Sequence, residues 1–364
     1  MSKAAELAAL IGSQSALSNR NLIINGAMNV AQRATSKTGA FAGGSYETVD
    51  RFHFQAVSRD QWIFTEEQSS DAPAGFSNSY KFTTTTAETS IEAGDVMWFE
   101  QIMEGQNLQH LQNGSSGAVS LTLSFYVKSS QTGTFGVNLY KGDNTNRIIN
   151  ATYTIDSAST WEKKTITFPG DTSGGGIVDD NTEGLRVVWN LASGSDFDSV
   201  NSTSWADYST TNWAGGHAQD GVVTTLNATW QITGVQLEVG EQATPFEHRS
   251  YADELRRCQR YFQRISGGSD AFTMSGKCQG TTSVDVTLAM PTNLRASPTM
   301  NSLTYRAFHD GGFNEVTSTT PTALQFNAGN SLLAMNCGGF SGLTNNEIVN
   351  WGPVSNALTI DAEL

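Results

Sequence analysis

The chain has 364 residues, enough for two or three domains, with 38% hydrophobic residues, only 15% charged residues and a formal net charge of −14. That charge disfavours a sequence-independent nucleic-acid binder, which needs a cationic surface to release counterions, and it disfavours adhesion to anionic membranes by charge alone. Plentiful Gly, aromatic and β-branched residues suit many short strands joined by tight turns, not a disordered chain.

Residues 3–11, KAAELAALI, have helical composition and stop at Gly12. Ala4, Leu7, Ala8 and Ile11 form one small apolar face. A helix this short is marginal alone, so residues 1–20 read as an attachment arm ordered by other copies or by a docking surface.

From 21 to 240 the pattern is strand after strand. Val119, Leu121, Leu123, Phe125 and Val127 alternate with polar residues apart from Tyr126. Leu185, Val187, Trp189 and Leu191 do likewise, with Val188 the one apolar residue on the other face. The alternation of Trp230 and Ile232 shifts by one residue near Gly234, which implies a bulge. Further strand candidates are His53–Val57, Gln61–Glu66, Ser79–Thr84, Asp95–Met103, Gly133–Tyr140, Arg147–Ile155 and Trp161–Phe168. The expected fold is all-β, a jelly-roll-like β-sandwich over residues 21–249. Trp62, Trp98, Trp161, Trp189 and Trp230 sit in strand patterns and are expected in its core.

Ser193–Gly221 breaks the rhythm. It is polar, yet carries Phe197, Trp205, Tyr208 and Trp213. Trp205, Tyr208 and Trp213 are candidates for stacking sugar rings; the alternative is that they fold back over the sheet. Next comes a helix over 250–266. Ser250 suits its start, and Asp253 and Glu254 its positive end. Tyr251, Leu255, Cys258, Phe262 and Ile265 form an apolar stripe, and Arg256, Arg260 and Arg264 a second stripe for carboxylate partners within or between subunits. Residues 267–364 read as a second, smaller β domain with strands Ser283–Ala289, Thr299–Ala307, Ala323–Asn327, Ser331–Asn336 and Ala357–Leu364. Tyr305, Phe308 and Phe313 are its candidate exposed aromatics, a rival glycan site.

The sequence holds no phosphate loop, dinucleotide fingerprint, zinc-spaced histidine pair or Gly-x-Ser-x-Gly elbow. Glu66-Glu67, Asp179-Asp180, Asp196 and Asp198 meet the two-carboxylate requirement of glycoside hydrolysis only as any acidic chain does. The expectation is no enzyme and no cofactor. Asp179, Asp180 and Glu183 could offer oxygens to Ca²⁺ but lack EF-hand spacing, and a solvated turn is the alternative. Cys258, Cys278 and Cys337 fit neither a disulfide framework nor a zinc site and suit a reducing cytoplasm. No stretch approaches the ~20 apolar residues of a membrane span. The N-terminus lacks the cationic start and apolar core of a signal peptide, so release inside a particle by lysis is expected.

Three separated segments carry a resemblance: NLIINGAMNVAQR at Asn21–Arg33, VDRF at Val49–Phe52, and QLEVGEQATPFEHRSYADELRRCQRYF at Gln236–Phe262. In this order they are similar to the tail-fibre-like virion proteins of tailed bacteriophages, over roughly residues 21–264. The resemblance implies a virion structural protein made in the host cytoplasm, a homotrimer, with sandwich domains similar to carbohydrate-binding modules. Its implied partners are other virion proteins of tail or capsid and a host cell-surface polysaccharide, with no nucleic acid and no membrane insertion. A short tail fibre or receptor-binding appendage without turnover is the leading expectation, because no coiled-coil or triple-helical shaft is present. A head-decoration, cement or head-fibre protein is the alternative, and a polysaccharide depolymerase the third.

Overall fold

The computed structural model describes residues 19–39, 44–57, 61–266, 274–309, 312–326, 332–354 and 357–364. They divide into two compact units, one up to Tyr251 and one from Ala252. The expected N-terminal arm lies outside the described residues, apart from its last two.

Alternating apolar residues build the first unit. Its strands are β1 (Ser36–Gly39), β2 (His53–Val57), β3 (Ile63–Ser69), β4 (Ser79–Thr86), β5 (Val96–Glu104) and β6 (Leu121–Ser129). They continue with β7 (Gly133–Lys141), β8 (Arg147–Ile155), β9 (Glu162–Phe168), β10 (Glu183–Ser193), β11 (Ala206–Asp207) and β12 (Thr229–Val239). Two one-turn helices, α1 (Ser195–Asp198) and α2 (Gly221–Thr224), interrupt the segment after β10. One sheet runs β1-β3-β4-β12-β6-β9 and the other β11-β8-β7-β10-β5-β2. All of these pairings are antiparallel. The unit is the expected jelly-roll-like sandwich.

Its core is aromatic. Phe82 and Trp230 of the first sheet meet Phe99 of the second, with Phe99 and Trp230 edge to face at 5.6 Å. Trp189 of β10 meets Phe125 of β6 at 5.8 Å in the same way. Trp62, Trp189 and Trp230 are core as expected. Trp98 is buried as well, and Trp161 is not. Trp98 packs on the outer face of β5 in a separate cluster. Trp161 lies half-buried, with Nε1 donating to Asp71 Oδ1 at 3.2 Å and Lys128 Nζ 5.9 Å from its ring centre. Position beside a strand does not fix which side a ring faces.

The bulge expected at Gly234 is present. The β12–β6 register jumps from Thr233 opposite Tyr126 to Gln236 opposite Ser124, and Gly234 takes φ +61°. That left-handed conformation is where glycine is favoured.

The three resemblance segments meet as one brace. Asn21 donates through Nδ2 to the Val235 carbonyl at 3.0 Å, and its Oδ1 accepts from the Ile23 and Leu237 N–H groups at 3.0 Å. Glu247 accepts from the Asn21 N–H at 2.9 Å, and Arg249 donates to the carbonyls of Ile23 and Asn21. The segment at 49–52 joins in through Asp50, which accepts from the Gln32 N–H at 2.9 Å, and through buried Arg51, which donates to the Ile102 carbonyl at 2.7 Å.

The second unit holds α3 (Tyr251–Gln259), which begins one residue before it, then β13 (Phe262–Ser266), β14 (Met274–Gln279), β15 (Ser283–Ala289), β16 (Thr299–Met300) and β17 (Leu303–His309). It ends with β18 (Gly312–Thr319), β19 (Thr322–Phe326), β20 (Leu332–Gly338), β21 (Ile348–Pro353) and β22 (Ala357–Asp361). A small sheet runs β13-β22-β16 and a larger one β18-β17-β21-β14-β15-β20-β19.

The helix expected to reach residue 266 stops at Gln259. Phe262–Ser266 pairs instead with β22, Phe262 lying opposite Asp361 and Ile265 opposite Leu358. An available sheet partner outweighs a weak helical pattern. The apolar stripe therefore breaks up. Cys258 and Phe262 are buried, Leu255 and Ile265 half-buried, and Tyr251 exposed. The arginine stripe breaks with it. Arg256 lies exposed 3.9 Å from Asp253, Arg260 donates to the Asn293 carbonyl at 3.2 Å, and Arg264 sits on β13. All three cysteines are buried.

Candidate functional site

The outer face of the second sheet of the sandwich is apolar where β5, β7, β8 and β10 carry Val96, Trp98, Tyr140, Ile148 and Val188. The loop between β10 and β12 lies on this face. Asparagines of the sheet hold it there. Asn138 donates to the Trp213 carbonyl, and Asn150 donates to the Asn212 carbonyl at 3.0 Å while accepting from the Ser202 N–H at 2.8 Å. His217 Nδ1 accepts from the Gly136 N–H at 3.1 Å, and Asp220 accepts from the Ser193 N–H at 3.0 Å.

Between loop and sheet is a cavity of about 230 Å³ lined by Trp98, Tyr140, Arg186, Phe197, Tyr208 and Trp213. Its rings stand edge to face. Trp98 and Trp213 are 5.0 Å apart, Tyr140 and Trp213 5.3 Å, and Tyr140 and Tyr208 5.2 Å. Arg186 Cζ lies 5.5 Å over the Tyr140 ring. The Trp213 Nε1 donor is buried without a partner among the described residues.

Arg186 is fixed from behind. It forks onto both Glu183 oxygens and reaches Glu100 Oε2 at 3.3 Å. Burial works against the charge of Glu100, yet the hydrogen bond from His53 and the Arg186 guanidinium hold its carboxyl below the usual range. Burial raises the phenols of Tyr140 and Tyr208, the former helped by nearby Glu183, so both stay protonated donors at neutral pH. The site offers aromatic faces, phenol and indole donors, and one cation. It brings together no nucleophile with a base.

Of the sequence candidates, Tyr208 and Trp213 line this cavity and Trp205 does not. The Trp205 ring packs against the main core and its Nε1 donates to the Pro169 carbonyl at 2.7 Å. In the second unit Tyr305 is buried, stacked on Trp351 at 4.7 Å with its hydroxyl donating to the Asn301 carbonyl, so it is not an exposed aromatic. Phe308 is half-buried, and the Phe313 side chain lies outside the described residues. Trp98, Tyr140, Arg186 and Phe197 were missed as site residues. The signal existed in β5 and β10, where Val96 and Trp98, and Val188, are apolar on the parity opposite to the core.

No group of three or more His, Cys, Asp or Glu placed to hold a metal occurs among the described residues. In the Ca²⁺ candidate, Asp180 caps the Thr182 N–H and hydroxyl at 2.8 and 2.7 Å, and Glu183 is taken by Arg186, which leaves Asp179 exposed. No helix among the described residues is long and apolar enough to cross a membrane.

No family model and no curated relative matches the sequence. Among solved structures, the chain is similar to the enzymatically active domain of tailspike protein 4 of bacteriophage CBA120, at 11% identity and TM-score 0.31, over 61% of this chain and 22% of that one. It is also similar to the family 11 carbohydrate-binding module of the cellulosomal cellulase Lic26A-Cel5E of Clostridium thermocellum, at 11% identity and TM-score 0.30, over 57% of this chain and 100% of that one. The C-terminal family 22 carbohydrate-binding module of Clostridium thermocellum Xyn10B matches at 12% identity and TM-score 0.29, over 52% of this chain and 88% of that one. Overlap at this level leaves the ligand to be argued from the residues of this chain.

Proposed function

We propose that the first unit binds a saccharide in the cavity under the β10–β12 loop, without turnover, as part of a short tail fibre or receptor-binding appendage of a tailed phage. The ring cluster of Trp98, Tyr140, Tyr208 and Trp213 carries the reading. Pyranose faces pack on such rings, and the phenols, the Trp213 indole and Arg186 supply hydrogen bonds to hydroxyls. The virion setting rests on the three resemblance segments, whose residues brace the sandwich and leave the pocket to the loop.

A cavity of about 230 Å³ suits about one sugar ring. A single site of this kind corresponds to affinity in the millimolar range, about −4 kcal/mol, and repeated copies on a particle supply the avidity. Trp213→Ala together with Tyr208→Ala should abolish adsorption of particles to host cells while the protein still assembles. Normal adsorption by that variant would remove the receptor-binding role and leave the head-decoration reading.

A further inference from the structure

A second pocket lies on the outer face of the other sheet, around the Gly234 bulge, with a volume of about 490 Å³. Phe76 is its centre. It meets Tyr126 at 5.5 Å, Phe246 edge to face at 5.0 Å and His248 at 5.3 Å. The bulge makes room for this ring, since a Cβ at position 234 would lie 2.7 Å from Phe76 Cζ. Lys163 stands beside it, opposite Tyr126 in the β6–β9 ladder, with Nζ 6.0 Å from the Tyr126 ring centre.

Charge singles out Lys163. Other lysines of this sheet are neutralised: Lys81 by Glu67 at 2.8 Å, Lys128 by Asp71 at 2.7 Å and Lys164 by Glu162 at 2.6 Å. Lys163 has no carboxylate partner among the described residues, and no Asp or Glu lines the pocket, although the chain has 35 acidic residues. Aromatic faces beside an ammonium without a counterion call for a ligand that is flat, hydroxylated and anionic.

We infer that this pocket is a second binding site, for an acidic saccharide whose carboxylate pairs with Lys163 while its ring packs among Phe76, Tyr126 and Phe246. The inference uses different residues from the cavity under the β10–β12 loop and stands without it. The volume falls within the ~300–1,000 Å³ usual for ligand pockets.

The test is titration of the full chain with trigalacturonate, with a sialylated trisaccharide and with neutral galactotriose. At least one acidic probe should bind, Lys163→Met should weaken it about tenfold, and added salt should weaken it further. Trp213→Ala should leave that binding unchanged. Lys163 is exposed, so its variant should fold; Phe76→Ala is the second variant and should also lose the acidic probe. Failure of both acidic probes overturns the inference. So does binding unchanged in Lys163→Met, or binding lost in Trp213→Ala. Self-association that Phe76→Ala removes would assign the pocket to a second copy of the chain and overturn it equally.

Discussion

Glu66 is buried in the sandwich with Tyr80 donating to Oε2 at 2.6 Å, and its other oxygen has no partner among the described residues. Burial pushes its carboxyl up from 4.5 to about 7, against the lowering effect of Tyr80. The native state therefore holds a proton that the unfolded chain has already released between those two values. Stability from this group is complete below pH 4.5 and is lost as pH rises to about 7, by about 3 kcal/mol at most. Glu66→Gln should flatten that part of the melting-temperature profile and raise the melting point at pH 8. A variant that follows the parent's slope would show that Glu66 is not the titrating group. Asp171 predicts a loss in the other direction. It is buried, receives Arg147 Nη2 at 3.1 Å, and lies 3.9 Å from Lys141 Nζ, whose side chain is fully buried. Asp171→Ala leaves buried Lys141 without its carboxylate and Arg147 with Asp207 at 2.7 Å, and should cost about 3 kcal/mol in denaturant unfolding. A change under about 0.5 kcal/mol, the size of an ordinary surface substitution, would contradict this. At this scale the site was half legible. Tyr208 and Trp213 stood out because large rings in a long polar loop need a reason. Trp98 and Tyr140 did not, because a ring's side of the sheet depends on which neighbours arrive from far along the chain.

At the scale of elements, the Gly234 bulge was readable from a one-residue shift in alternation, and the structure gives it a role in shaping the second pocket. Gly234→Ala meets φ +61° and the Phe76 ring together, and should destabilise the sandwich by about 1–2 kcal/mol. Unchanged unfolding would show that Phe76 moves aside freely. The brace at the N-terminal segment was visible only as a resemblance. Arg249→Ala removes bonds to the Ile23 and Asn21 carbonyls and to Glu247, and should cost about 2 kcal/mol as those acceptors lose partners. A melting point equal to the parent's would mean that the segment is held without it. The helix after 250 ends sooner than its pattern suggests, because a run such as Cys258–Ile265 suits either period and only the edge of β22 selects a strand.

For the molecule as a whole, the all-β architecture was legible because most of the long strands of the sandwich carry their own alternation, whereas β1 (SKTG) and the two-residue β11 carry none. Quaternary structure was not. The expected trimer had two motives besides the resemblance: the N-terminal helix, which lies outside the described residues, and the apolar stripe, of which Cys258 and Phe262 are buried within their own chain. Sedimentation equilibrium at micromolar concentration tests the homotrimer, a monomer contradicting it. Saccharide binding under the β10–β12 loop can be followed site by site through the chain's eight tryptophans. The most direct measurement is the set of indole N–H resonances, assigned by substitution, during titration with bacterial surface oligosaccharides. Shifts are expected at Trp98 and Trp213, with Trp62, Trp189 and Trp230 unmoved. Titration that leaves Trp98 and Trp213 in place with every oligosaccharide tried, or that moves other indoles first, would contradict it.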